Sequence, residues 1–424
     1  MHDGSVLNRL ASGLGFPQVG HHRRFVTAIG IDAVGSGIWM PVSMIFFLAT
    51  THLSLVQVGL ALSLSSLLSL PAAVLVGQQV DRFGSKTVLQ AGNLLQGASF
   101  VLYPFADHVW SVALVVSASV IGRTAFWGSY SPMVTLISPP GEREKWFGFL
   151  GAMRNAGFAV GGVVAGAALT VDALWLYYAV ALLNAASYLL SFVLLAGVAA
   201  HEPERAPHAH PSEVVGGWST VLRDRGYAWL VGTNFTYAMA SAALNVAIPV
   251  YVVEMLGLPG WVSATVFVIN TLMIGVGQGL VVVRMTGALR SRIVALGLLC
   301  SAASFVVLLA AERLGVVAAV AVVLAGAVVY TLGELISGPV LATLAAESPP
   351  AALRGRYLAT YQLSWNVATG VAPLLYAWLL DRGTGPAWLG MAAIALAGAA
   401  ATVPMRRRLD HADRVVTNRA EVAT

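Results

Sequence analysis

The chain has 424 residues, of which 58% are hydrophobic and only 10% charged, against roughly 45–50% and about 25% in an ordinary soluble domain. That balance excludes a water-soluble enzyme. The net charge of +5 and pI near 9.5 could suit nucleic acid, but no basic stretch is interleaved with stacking aromatics, so no nucleic-acid partner is expected.

A hydrocarbon core about 30 Å thick needs about 20 apolar residues per spanning helix, which leaves room for about twelve spans. In chain order, apolar windows lie at 25–50, 55–77, 88–105, 109–137, 147–170 and 173–199. The stretch 201–224 then turns charged and carries three prolines, with no window long enough to span. Six more windows follow at 226–257, 260–284, 291–312, 315–346, 357–381 and 384–405. The first window is too long for the apolar region of a cleaved signal, so it reads as a retained helix.

The fold class expected is therefore an all-α integral membrane protein with 12 transmembrane helices in two pseudo-symmetric six-helix bundles. Its parts are an N-terminal segment 1–24, a bundle 25–199, a linker 200–225, a second bundle 226–405 and a basic tail 406–424. Lys and Arg in short loops mark the cytoplasmic side. Arg23, Arg24, Arg82, Lys86, Arg143, Lys145, Arg205, Arg223, Arg225, Arg284, Arg290, Arg292, Arg354, Arg356 and Arg406 to Arg408 fall on one side, and Arg313 and Arg382 on the other. Both termini and the linker are expected to be cytoplasmic, in a multi-pass plasma-membrane protein.

The halves echo each other. SPPGEREKWFG (138–148) and SPPAALRGRYLA (348–359) share Ser-Pro-Pro, a basic pair and a following aromatic, about 210 residues apart in a chain whose half-length is 212. Such a period is expected of two bundles related by an axis along the membrane normal.

Between the second and third windows stands Gly77-Gln-Gln-Val-Asp81-Arg82-Phe83-Gly84-Ser85-Lys86-Thr-Val-Leu89. Gly77 and Gly84 are expected to allow tight turns at the membrane edge, and Asp81 to accept from a neighbouring helix N-terminus. A merely topogenic basic loop is the alternative. The segment resembles the signature of the major facilitator superfamily, G-x-x-x-D-R-x-G-R-K-x-x-L, with Ser85 where a base is usual. The resemblance implies that Gly77, Asp81, Arg82, Gly84 and Lys86 form a latch that holds the outward-open state.

The fifth window carries Gly148, Gly157, Gly161, Gly162 and Gly166. Their spacing is similar to the motif of drug–proton antiporters, with Gly162 in place of the usual proline and Ala165 in place of the last glycine. Generic close packing of small residues is the other reading.

Ionisable groups at membrane depth cost roughly 2.5 kcal/mol or more if they face lipid. Four stand out: Asp32 in the first window, Arg123 in the fourth, Arg154 in the inner part of the fifth and Glu334 in the tenth. Arg123 and Glu334 are 211 residues apart, at repeat-equivalent positions. The resemblance implies a cavity lined by the first, fourth, seventh and tenth helices, with a basic residue in the fourth. Asp32 is expected to pair with Arg123 and to carry the proton, Glu334 to be a second proton or cation site, and Arg154 to snorkel towards the cytoplasm. Static structural roles remain open for each.

Cavity-lining candidates are Trp39, Met40, Trp127, Tyr130, Asn234, Tyr237, Asn245, Asn270, Gln278, Tyr361, Gln362, Trp365 and Asn366, any of which could instead be packing or interfacial belt. Cys300 lies in an apolar run and reads as a buried small residue; with one cysteine there is no paired metal or redox spacing. No phosphate loop, zinc motif or nucleophile elbow appears, so no metal, cofactor or enzymatic role is expected and the proton gradient is the implied energy source. His21, His22, His208 and His210 read as solvated.

The leading expectation is a monomeric secondary transporter that exports a small organic compound in exchange for protons. Proton-coupled uptake of a sugar or organic acid, or a non-transporting receptor or scaffold on the same fold, are the alternatives.

Overall fold

The computed structural model describes residues 19–138, 143–171, 173–198, 218–285, 287–350, 353–409 and 416. It divides into two compact units, Met1–Arg205 and Ala206–Thr424.

In the N-terminal unit the helices are α1 (Arg23–Trp39), α2 (Ser43–Thr50), α3 (Leu55–Leu68), α4 (Leu70–Phe83), α5 (Ser85–Leu102), α6 (Val109–Ile137), α7 (Arg143–Val171) and α8 (Leu174–Ala196). The window read as one first span is two helices bent by 53°. Pro41 lies in the break; it has no N–H to give to the helix ladder. The second span is likewise α3 followed by α4, with Pro71 in the first turn of α4. Helix continues through Gly77 to Phe83, so Gly77 makes no turn. The turn is made by Gly84 alone, at φ +87°, a conformation that a side chain disfavours.

The C-terminal unit holds α9 (Trp218–Arg223), α10 (Arg225–Ala242), α11 (Ala247–Val250), α12 (Gly260–Arg284), α13 (Arg290–Ala310), α14 (Val316–Glu347), α15 (Arg354–Asp381) and α16 (Thr384–Arg408). The end of the expected linker is thus helical, while 201–217 lie outside the described residues. Asp224 caps α10 by accepting from the Tyr227 N–H at 2.9 Å, as an N-cap carboxylate does.

Among the described residues ten helices, counting α10 with its continuation to Met255 as one, are long and apolar enough to cross a membrane, or eleven with α1 and α2 taken together. The remaining expected span is α5, whose Lys86, Gln90, Asn93 and Gln96 lower its hydropathy. Those polar groups are used inside the protein. Asn93 donates to Ser191 Oγ at 2.8 Å and Gln90 to the Phe192 carbonyl at 3.2 Å, both on α8.

The repeat is visible within each unit separately. Gly92 on α5 and Gly122 on α6 bring two backbones together, since a Cβ on either would lie 2.7 Å from the other's carbonyl oxygen. Gly297 on α13 and Gly333 on α14 do the same at 2.7 and 2.6 Å. Small residues allow such approach. His22 meets Trp146 edge-on at 5.6 Å in one unit, and Tyr227 meets Tyr357 edge-on at 4.6 Å in the other. His22 is therefore half-buried against a ring rather than solvated; the side chain of His21 and residues 208 and 210 lie outside the description. Cys300 is half-buried, not enclosed.

Candidate functional site

Two glycines of the fifth span fix how α7 crosses α1. A Cβ on Gly157 would lie 2.8 Å from the Ala33 Cβ, and one on Gly161 would lie 2.6 Å from the Ile38 backbone nitrogen. From the other side, a Cβ on Gly37 would lie 2.6 Å from the Phe158 Cα. The two backbones touch. Gly162 and Gly166 are also buried. The surroundings of Gly148, Gly77 and Asp81 lie outside the described residues.

This contact places Arg154, one turn before Gly157, directly beside Asp32. Arg154 Nη1 donates to Asp32 Oδ2 at 2.9 Å, with only 9% and 4% of the two side chains exposed. The guanidinium also lies 4.6 Å from the Trp127 ring centroid, 5.2 Å from Phe158 and 5.4 Å from Phe126. A planar cation over aromatic faces is attracted by their quadrupoles. The expected Asp32–Arg123 pair is absent, and Arg154 does not snorkel. Its reach is taken up by Asp32, because the glycine contact draws α7 onto α1 at that level.

Arg123 is instead exposed on α6, with no ion pair among the described residues. Arg123, Trp127 and Ser131 recur every four residues along an exposed stripe, and Trp127 is 50% exposed. An arginine in mid-span facing lipid costs roughly 2.5–3.5 kcal/mol or more, so such residues normally face water or protein. Tyr130 is buried, stacked on Phe126 and edge-on to Trp127.

In the C-terminal unit Glu334 is surrounded by neutral donors. Ser241 Oγ donates to Oε1 at 2.7 Å, Tyr330 Oη to Oε1 at 3.2 Å and Asn270 Nδ2 to Oε2 at 2.6 Å. Asn270 also donates to Thr331 Oγ1, and Tyr237 Oη to the Glu334 carbonyl at 3.5 Å. Tyr330 reaches the Ser241 carbonyl too, at 2.9 Å, where α10 ends. Ser241, Tyr330 and Thr331 were not singled out from the sequence; Tyr330, one turn before Glu334, was the available signal.

The other lining candidates divide. Trp39 belongs to an aromatic cluster with Phe46, Phe47, Phe100 and Tyr103. Asn234 is fully buried and ties α10 to α15 through the Tyr361 carbonyl and Ser364 Oγ. Tyr361 and Trp365 pack on the core of this unit. Gln362 is exposed and donates to Asn366, Asn245 is half-buried, and the Gln278 side chain lies outside the description.

Of the latch residues, Lys86 donates to the Ala196 and Val198 carbonyls at 3.1 and 2.7 Å, and Arg24 to that of Gly197 at 3.0 Å. Both cations sit at the C-terminal end of α8, where helix carbonyls are unsatisfied. Ser85, which stands where the superfamily signature has a base, is buried with its hydroxyl 4.0 Å from Met133 Sδ. Arg82 is exposed.

Residues 25–373 match the Major Facilitator Superfamily. The chain belongs to that superfamily. It is a multi-pass membrane protein of a transporter family. Among curated relatives, it is 29% identical over 233 residues to the multidrug resistance protein MdtH of Yersinia enterocolitica, covering 54% of this chain and 56% of that one. It is 28% identical over 235 residues to MdtH of Yersinia pestis, with the same coverage. The matched region is thus about half the length of these relatives. The fold is shared with solved superfamily transporters. A point mutant of the nucleoside transporter NupG superposes with a TM-score of 0.74 at 10% identity, covering 90% of this chain and 98% of that one. The E. coli xylose transporter XylE gives 0.71 at 16% identity, covering 90% and 94%.

Proposed function

We propose that the chain is a proton-coupled exporter of a small organic compound, such as a drug, antibiotic or secondary metabolite, with Asp32 and Arg154 as its proton switch. It works as a monomer in the plasma membrane with cytoplasmic termini, and the proton gradient drives it without a cofactor. The observation that carries this reading is the buried Asp32–Arg154 pair seated against Trp127.

Charge balance links the pair to a proton. Closed, the pair is neutral without one. When the guanidinium moves away, a carboxylate in a low-dielectric setting is neutral only with a proton bound. A compound stacking on the exposed side of Trp127 shares that ring with Arg154 and so biases its position. Binding of cargo and binding of the proton then exclude one another: cargo that favours the closed pair expels the proton, which is the requirement for exchange. Glu334 is a second proton- or cation-binding group in this scheme, and Asp81, Arg82 and Lys86 serve the conformational latch. The names of the MdtH relatives favour export as the direction.

The test is purified protein in proteoliposomes under an imposed pH gradient, with lipophilic cations, antibiotics and sugars added in turn and internal pH followed by a dye. Cargo-dependent proton flux that is lost in Asp32→Asn/Arg154→Gln supports the reading. No flux with any compound, or unchanged flux in the double variant, overturns it. The double variant is the informative one, since Asp32→Asn alone leaves a buried guanidinium without its counter-charge.

A further inference from the structure

On the C-terminal unit, a groove of about 720 Å³ opens between the start of α13 and the end of α16, lined among others by Leu289, Arg292, Ala295, Val403, Arg406 and Arg407. Its upper rim is basic. Arg292 and Arg407 are exposed, and neither is ion-paired among the described residues. The neighbouring Arg290 is turned inward and neutralised by Glu347 Oε2 at 2.5 Å, so the outward charge comes from the other arginines.

Below the rim both helices become apolar on the same exposed face. On α13 the stripe that starts at Arg292 continues through Leu296, 56% exposed, and Leu299, 46% exposed. On α16 the stripe from Arg407 continues through Val403, 54% exposed, and Leu396, 48% exposed. Spacings of four and three residues on α13, and of four and seven on α16, keep each set on one side of its helix. Val416 is held beside the start of α13: the Gly287 N–H donates to the Val416 carbonyl at 2.9 Å, and the Val416 N–H to that of Ala288 at 3.0 Å.

We propose that this groove binds one anionic phospholipid, its phosphate held by Arg292 and Arg407 and its acyl chains lying along the Leu296–Leu299 and Val403–Leu396 stripes. The arrangement has two parts that a single ligand must match: fixed positive charge at the membrane edge and, directly beneath it, a paired apolar track. A free phosphate lacks the chains that fill the track, and the phosphate of a zwitterionic lipid is already offset by the cation of its own headgroup, which the arginines repel. Basic pockets between spanning helices at the cytoplasmic face select anionic headgroups for this reason.

The experiment uses the full chain in uncharged detergent. Retained lipid is read by native mass spectrometry, and the unfolding midpoint is read after adding dioleoylphosphatidylglycerol, dioleoylphosphatidylcholine or inorganic phosphate. The expected result is retention of, and a raised midpoint with, phosphatidylglycerol alone. Arg292→Gln/Arg407→Gln is expected to weaken retention by on the order of tenfold or more. The charge-matched Arg313→Gln/Arg382→Gln, at residues that follow the C-terminal ends of α13 and α15, is expected to retain lipid as the wild type does. Val403→Trp, which fills the groove without touching its charge, is expected to lose the lipid as well. Equal retention in the Arg292/Arg407 variant and its charge-matched control overturns the proposal. So does an equal midpoint shift with phosphatidylcholine, or with phosphate alone.

Discussion

In the N-terminal unit the buried carboxylate of Asp32 meets a full positive charge, Arg154 at 2.9 Å, whereas in the C-terminal unit Glu334 meets only neutral hydroxyl and amide donors. The frames around them are alike. Gly122 precedes Arg123 and touches Gly92, as Gly333 precedes Glu334 and touches Gly297. An edge-on aromatic pair stands at the start of the fifth span and again at that of the eleventh. Backbone packing has kept the repeat while the charges on it have diverged. An ion pair has two states that differ in where a charge sits, and suits switching. A carboxylate held by three neutral donors has no charged partner that can move away from it.

The largest expected effect that would break this contrast is Arg154→Met. It strands the Asp32 carboxylate in the protein interior, and breaking one partner of a buried pair costs about 3–5 kcal/mol. Adding Asp32→Asn should recover most of that loss, so the pair's coupling can be read from a double-mutant cycle of unfolding in detergent. Equal losses in the single and double variants would contradict the pairing. Next come Gly122→Val and Gly333→Val. Each forces two touching backbones apart and should cost about 1–3 kcal/mol, by similar amounts if the two frames are equivalent. A large loss in only one unit would break the likeness.

Glu334→Gln should be milder, under about 1.5 kcal/mol, because the amide keeps the side-chain shape and an acceptor oxygen while shedding a charge. Should Glu334→Gln cost as much as Arg154→Met, the distinction between a paired and an unpaired carboxylate would fail. The smallest effect is Lys86→Met, which removes a cation from the C-terminal end of α8 and should cost about 0.3–1 kcal/mol. A loss of several kcal/mol there would mean that Lys86 does more than cap that helix.

Much of the fold was legible because hydropathy reports length and burial in lipid directly. The tenth span read as 315–346 is α14, Val316–Glu347. What hydropathy misses is geometry inside a span. Pro41 breaks the first one, and α5 passes as polar because its amides are spent on α8. The site was half legible. Asp32, Glu334, Trp127 and Asn270 stood out as polar or aromatic groups at depth, but the partner of Asp32 was taken from the fourth helix. Depth along the chain does not say which face a residue occupies. The face was readable: Arg154, Phe158 and Gly161 recur at four and three residues, so the arginine shares the small-residue face that α7 lays on α1. Asn234 shows the opposite error, an amide that looks free for cargo and is consumed by Tyr361 and Ser364.

The pair's role in coupling is tested most directly by proton release on cargo binding, measured in weakly buffered detergent solution with a compound that binds both wild type and Asp32→Asn/Arg154→Gln. The wild type is expected to release protons on binding, and the double variant to bind without releasing any. Equal release from both would contradict a coupling role for the pair.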